Sequence, residues 1–186
     1  AQFGPSKRVL GVIRPTAEVI GRFSESGQLG VLATKGTVLS ESYLLEIAHF
    51  FPDMTVFQQA CPMWVPLIEN GEHEGAGADY FVKDSLDQLM SQSPGIDTVL
   101  LACTHYPLLI PKIEAQLPKH IQVVSQGEIV AQSLANYLDR HPAMADKCSK
   151  NGHIRFCTTD STTDFDEKGA IFFGKSLKSE HILLGH

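Results

Sequence analysis

The chain has 186 residues, a formal net charge of −6, and 43% hydrophobic against 19% charged residues. That is enough for one or two small domains with a substantial core. No apolar run approaches the roughly 20 residues that span a bilayer, so no membrane partner is expected. The acidic balance and the scatter of the 15 basic residues argue against a nucleic-acid partner, because phosphate recognition needs clustered Lys and Arg.

In chain order, AQFGPSKRVLGVI places a basic pair before an apolar stretch, without the long apolar core and cleavage site of a secretory signal. RVLGVI (8–13) is predicted as a strand, and Pro15 suits the first turn of a helix reaching about Glu25. QLGVLA (28–33) is a second strand, and Tyr43, Leu44, Ile47, Ala48 and Phe51 repeat at helical spacing over 40–51. MTVFQQA (54–60) is a third strand, and Val82, Leu86, Leu89 and Met90 share one face of a helix over 79–91. DTVLLAC (97–103) is nearly all apolar, as in a central strand buried on both faces. A helix over 108–117, a strand over 120–125, and a helix to about Asp139 opened by a Ser125/Glu128 capping box follow. After a polar connection (140–152) come a strand over 153–159 and a helix over 162–174. Strands alternating with helices predict an α/β fold of parallel-sheet domains with helices on both faces. The crossover between domains is expected near 104–125.

In open α/β sheets ligands bind beyond the carboxyl ends of the strands, so the residues just after each strand carry the functional information. After 28–33 comes A-T-K-G-T. Thr34 and Thr37 there suit a carboxylate or a phosphate, or equally serve turn and capping chemistry. Glu69 heads the loop after VPLI, where an ordinary solvated acid is the plainer reading. After 97–102 come Cys103, Thr104 and His105. A single cysteine at a strand end is usually a small buried hydrophobe. A thiol, a hydroxyl and an imidazole in succession point instead to chemistry, and in extended chain Cys103 and His105 would share one side. Cys61, Cys148 and Cys157 have no base nearby in sequence. With no CxxC pair and no secretory signal, free thiols in the cytoplasm are expected. No metal site is expected either, since two ligands at C-x-H spacing do not close one.

ACTHYPLL (102–109) resembles the second-cysteine signature of bacterial glutamate racemases, usually written G-C-T-H-Y-P. The likeness extends over GVIRP (11–15), LATKGTVLS (32–40), ACPMWVPLIENGE (60–72), GIDTVLLACTHYPLL (95–109), VVSQGEIVA (123–131) and FCTTDSTTDFDEKGAIFFG (156–174). Ala102 departs from the family's Gly, which removes some backbone freedom beside the thiol. The resemblance implies two α/β domains and no cofactor. It also implies a two-base exchange of the α-proton of L- and D-glutamate, supplying D-glutamate for peptidoglycan. Cys103 would be the second thiol, acting on L-glutamate, with His105 as its activator and Glu69 assisting. Thr34, Thr37 and Thr104 would bind the substrate. A free thiol with a pKa of about 8.5 is only slightly ionised near neutral pH, hence the need for an activator.

The family's D-S-G-x-G-G loop and A-C-N-T-A segment, which holds the first cysteine, do not occur in these residues. The chain is therefore expected to be a piece of a longer racemase with little activity alone. On this basis residues 1–14 are a link and strand of an incomplete first domain, 15–122 the second domain, and 123–186 a return segment. A homodimer is expected, as is common in the family. An aspartate or hydantoin racemase of the same superfamily remains open as an alternative, although His105 speaks against the former. A non-catalytic amino-acid-binding α/β module also remains open.

Overall fold

The computed structural model describes residues 9–184, which form two compact units dividing after Asn136. In the first unit, β1 (Gln28–Ala33), β2 (Thr55–Ala60), β3 (Thr98–Leu101) and β4 (Gln122–Ser125) make one parallel sheet in the order β2-β1-β3-β4. Successive side chains of a strand point to opposite faces, and two apolar layers result. Leu29, Val31, Ala33, Leu100, Ala102 and Val124 join Ala17, Ile20, Tyr43 and Ile47 in one. Leu32, Val99 and Leu101 join Trp64, Ile68, Val82, Leu89 and Tyr106 in the other. All four residues of β3 are buried, as its continuous apolar run requires.

The winding decides which helix covers which layer. From β1 to β2 the chain passes through α2 (Lys35–Leu39) and α3 (Ser42–Phe50), and α3 sits on the first layer with the preceding α1 (Ile13–Ala17). From β2 across to β3 and on to β4 it runs the opposite way along the sheet. It then carries α4 (Trp64–Glu69), α5 (Ala76–Gln92) and α6 (Ile110–Gln116) onto the second layer. Right-handed crossovers put helices on opposite faces when the direction of winding reverses. Close approach of α5 needs Gly30, since a Cβ there would lie 2.7 Å from the Leu89 side chain.

Several elements differ from expectation. Residues 9–12 are not a strand, and α1 begins already at Ile13, ends at Ala17 and gives way to a 3₁₀ turn at Ile20–Phe23. Arg8, the first residue of the expected strand, lies outside the described residues. Val9, Leu10 and Val12 are exposed: an apolar run becomes a strand only where a neighbour pairs with it. The short helices α2 and α4 stand where loops were expected, so Glu69 is the last residue of a helix and not the head of a loop.

The second unit begins within α7 (Gln126–Arg140) and contains α8 (Pro142–Ala145), β5 (Phe156–Thr158), α9 (Thr162–Phe173) and β6 (Ser179–His181), a short strand not foreseen. β5 and β6 pair in parallel, flanked by the Arg155–Glu180 ion pair at 2.7 Å. Ser161 caps α9 by accepting from the Asp164 N–H, and Gly174 at φ 73° ends it.

At the amino end of the sheet, Asp97 binds the turn that leads into β1. It accepts from Ser24 Oγ at 2.6 Å and from the backbone N–H groups of Glu25 and Ser26 at 2.8 and 2.7 Å. Burial works against its charge, but these bonds, with one from Thr98, outweigh it and hold the carboxyl down at about 2. A depressed folded pKa contributes stability that is present above the unfolded value and lost as pH falls through the folded one. Stability should therefore decline as pH drops from about 4 toward 2. Asp97→Asn should remove that part of the decline and cost on the order of 1 kcal/mol at neutral pH after solvent screening. Urea unfolding across this pH range would check both.

Candidate active site

The order β2-β1-β3-β4 reverses direction between β1 and β3. Ligands of open α/β folds bind in the crevice beyond the carboxyl ends of the strands at such a switch point. The register pairs Leu32 with Leu101, and the Ala102 N–H donates to the Leu32 carbonyl at 2.9 Å. The two strands therefore end side by side, with Thr34 just past one and Cys103 just past the other.

At the end of β1, Thr34 is the N-cap of α2. Its Oγ1 accepts from the Thr37 N–H at 3.3 Å and lies 3.0 Å from the Thr37 hydroxyl. The capping reading is thus realised, and the paired hydroxyls stand beside the crevice. Glu41, where α2 gives way to α3, has the left-handed φ of 52°.

At the end of β3 the chain leaves the extended state at once. Ala102 ends the run of buried strand residues, and Cys103–His105 form a turn into a 3₁₀ segment, Tyr106–Leu109, with Pro107 suited to its first turn. Cys103 and His105 do share one environment, but through this turn and not through strand alternation, because His105 is helical at φ −79°. Cys103 Sγ lies 4.0 Å from His105 Nδ1, and Thr104 Oγ1 lies 3.4 Å from the same nitrogen. On the far side of the ring, His105 Nε2 is 3.1 Å from Glu69 Oε1 at the end of α4. The imidazole is 25% exposed and Glu69 41%, so the pair borders the crevice without being sealed from it.

A carboxylate oxygen accepts, so Nε2–H donates to Glu69, and in the neutral ring Nδ1 carries the lone pair on the side of the thiol and the Thr104 hydroxyl. Burial pushes the Cys103 thiol up, while the backbone N–H groups of His105 and Tyr106 pull the other way. A thiol kept protonated beside an oriented imidazole is the arrangement of a nucleophile or base that is activated on demand. Burial pushes Cys61 up to about 12, against hydrogen bonds from Ser85 and the Ala33 backbone that pull the other way; it is 1% exposed, as a packed residue is. Cys148 and Cys157 are exposed in the second unit. Among the described residues no three His, Cys, Asp or Glu side chains come together to hold a metal ion, and no helix is long and apolar enough to cross a membrane.

Side-chain contacts thus join Cys103, Thr104, His105 and Glu69, and separately Thr34 and Thr37. Three further residues around the strand ends were not singled out from sequence. Tyr43 donates from its hydroxyl to Gln126 Oε1 at 2.8 Å, and burial pushes that phenol up to about 12. Tyr106 donates to the Cys61 carbonyl at 3.2 Å. In sequence Tyr43 and Tyr106 are ordinary members of apolar runs, and the one available signal for Gln126 was its place just after a strand.

No protein-family model matches the chain. It is 40% identical over 162 residues to a glutamate racemase of Shouchella clausii (strain KSM-K16), a match covering 87% of this chain and 57% of the relative. The structure superposes on a crystallised glutamate racemase isoform from Bacillus anthracis with a TM-score of 0.88 at 31% identity, covering 98% of this chain and 67% of that one. The fold is also that of the Francisella tularensis subsp. tularensis SCHU S4 glutamate racemase crystallised with D-glutamate (TM-score 0.82, 23% identity, 100% and 66% coverage). The chain spans 57% of the length of the Shouchella relative and about two thirds of the two crystallised proteins. With a likeness of this degree over nearly the whole of this sequence, the chain belongs to the glutamate racemase family.

Proposed function

We propose that this chain is the part of a glutamate racemase that supplies the base for L-glutamate. The observation that carries the reading is the Glu69–His105–Cys103 alignment at the switch point of the sheet. His105 Nδ1 takes the Sγ proton, and Glu69 holds the ring in the required tautomer and offsets the charge that the ring gains. The thiolate then removes the α-proton of L-glutamate and becomes a thiol again. A thiol on the opposite face, contributed by the family's A-C-N-T-A segment, delivers a proton to give D-glutamate. In the reverse direction Cys103 is the donor. The hydroxyls of Thr34, Thr37 and Thr104 bind the carboxylates and ammonium group. No cofactor takes part. D-glutamate is the ligand of the Francisella tularensis structure, in keeping with this substrate.

The same reading makes residues 123–186 the return segment of a first domain that the family builds from both ends of its chain. It places the protein in the cytoplasm as a homodimer, supplying D-glutamate for peptidoglycan. All four cysteines are free thiols, as this chemistry and compartment need.

The test is α-proton exchange in D₂O, followed by NMR on the full-length protein with L-glutamate, D-glutamate and aspartate separately. Exchange and inversion of both glutamate enantiomers are expected. Exchange of aspartate alone, or tight glutamate binding without exchange, would overturn the reading. Glu69→Gln should slow racemisation by about tenfold or more, since the amide can present its NH₂ to Nε2 and release the tautomer. Its KM should stay near the wild-type value, which steady-state kinetics would establish.

A further inference from the structure

Tyr106 is fully buried, yet it lies within the turn that carries Cys103 and His105. Its hydroxyl donates to the Cys61 carbonyl at 3.2 Å, just past the end of β2. The same carbonyl accepts the Trp64 N–H at 3.3 Å, the first residue of α4. The Tyr106 and Trp64 rings pack with centroids 4.7 Å apart, and the Trp64 indole N–H donates to the Phe81 carbonyl of α5 at 3.2 Å. The last residue of α4 is Glu69, which accepts from His105. A closed circuit results: turn to Tyr106, Tyr106 to Cys61 and Trp64, along α4 to Glu69, and back through His105 to the turn. At its amide, Tyr106 also donates to the Cys103 carbonyl at 3.3 Å.

We propose that Tyr106 is a positioning residue, which locks the Cys103–His105 turn against α4 so that the imidazole meets the thiol on one side and Glu69 on the other. The assignment deepens the function proposed above and rests on it. Neither Tyr106 nor Trp64 needs to touch the substrate. Each sets the distance between two elements, the turn after β3 and the far end of a six-residue helix. Buried aromatic side chains with satisfied polar tips suit that purpose, because their rings have few alternative rotamers and their polar atoms select one. Among the described residues, the titratable groups facing Cys103 are His105, with Glu69 behind it, and Cys61, Tyr43 and Tyr106 from the packed layers. The backbone of His105 and Tyr106, which pulls the Cys103 thiol down against its burial, belongs to the same turn.

The experiment is Tyr106→Phe in the full-length protein, with three readouts. The first is the pH dependence of iodoacetamide alkylation at Cys103, followed on its own peptide by mass spectrometry because Cys148 and Cys157 are also exposed. The second is kcat and KM for L-glutamate, and the third is the effect of Tyr106→Phe in a Glu69→Gln background. A slackened turn should move the alkylation midpoint upward by about half a unit or more, since thiolate stabilisation is lost. It should lower kcat by about tenfold with KM nearly unchanged. In Glu69→Gln the further loss should be much smaller, because both substitutions act through His105.

An unchanged alkylation midpoint and an unchanged kcat would overturn the assignment even if the melting temperature fell, and so would full additivity with Glu69→Gln. Should Tyr106→Phe fail to fold, Trp64→Phe, which keeps the phenol and removes the indole bond to Phe81, is to give the same shifts. Racemisation surviving Cys103→Ser would instead remove the proposed function. Loss of racemisation in Cys103→Ser together with no shift in Tyr106→Phe removes only the positioning role.

Discussion

Cys103→Ser is expected to lower glutamate racemisation by the full-length protein by about 10²- to 10⁴-fold, the range for loss of a positioned acid–base group. The thiol stands at the carboxyl end of the central strand β3, half-buried and 4.0 Å from His105 Nδ1, the ring nitrogen on its side. Serine keeps the size and the hydrogen-bonding capacity, so folding should be unaffected. Its hydroxyl is far less acidic than a thiol, and His105 has no means of ionising it to a useful extent. The loss should also be one-sided. Deuterium incorporation from L-glutamate should vanish, while incorporation from D-glutamate, which starts at the opposite thiol, should continue without inversion. Equal loss on both enantiomers would mean that Cys103 holds the substrate and does not move the proton. Racemisation at the wild-type rate would remove Cys103 from the chemistry altogether.

Leu101→Ala should destabilise the chain by about 3 kcal/mol, within the range of about 2–5 for removing a fully buried leucine. Leu101 has no exposed surface and lies in the layer shared by Trp64, Tyr106 and Leu109. Its neighbours come from α4, α5 and the 3₁₀ segment, and none can move inward without breaking its own contacts. The cavity should therefore stay largely open. Urea unfolding should show a lower midpoint with an unchanged slope, because the surface exposed on unfolding hardly changes. The site should suffer as well, since Leu101 is two residues before Cys103 and supports the aromatic pair behind the turn. A destabilisation below about 1 kcal/mol would mean that this layer repacks around the gap.

Much of the fold was legible because the determinants were local. The near-continuous apolar run over 97–103 pointed to a doubly buried strand, and it forms one over Thr98–Leu101 with all four residues buried. The helix over 79–91 was visible in the spacing of Val82, Leu86 and Leu89 and needed only a few more residues at its start. Where the determinants were not local, the reading failed. Residues 9–12 have strand composition but pair with no strand among the described residues, and β6 has a polar sequence, Ser179–His181, that becomes a strand only by pairing with β5. The helices α2 and α4 are five and six residues long, too short for periodicity to identify.

The sequence by itself determined the chemistry on offer: a thiol, a hydroxyl and an imidazole in a row where a buried strand ends, in the pattern of a racemase family. It also named Glu69, but only through that resemblance, because nothing local separates Glu69 from Glu72 or Glu74. Tertiary structure decided that separation. α4 ends at Glu69, so of the three acids this is the one whose oxygen reaches His105 Nε2. It likewise decided that Cys61 is buried and Cys103 partly exposed, although both follow strands, since the first is sealed in the apolar layer and the second sits at the crevice beside β1. The physical reason is the same in each case. Which groups a chain carries is written residue by residue, whereas distance, burial and the direction of a lone pair depend on elements far apart in sequence meeting in space.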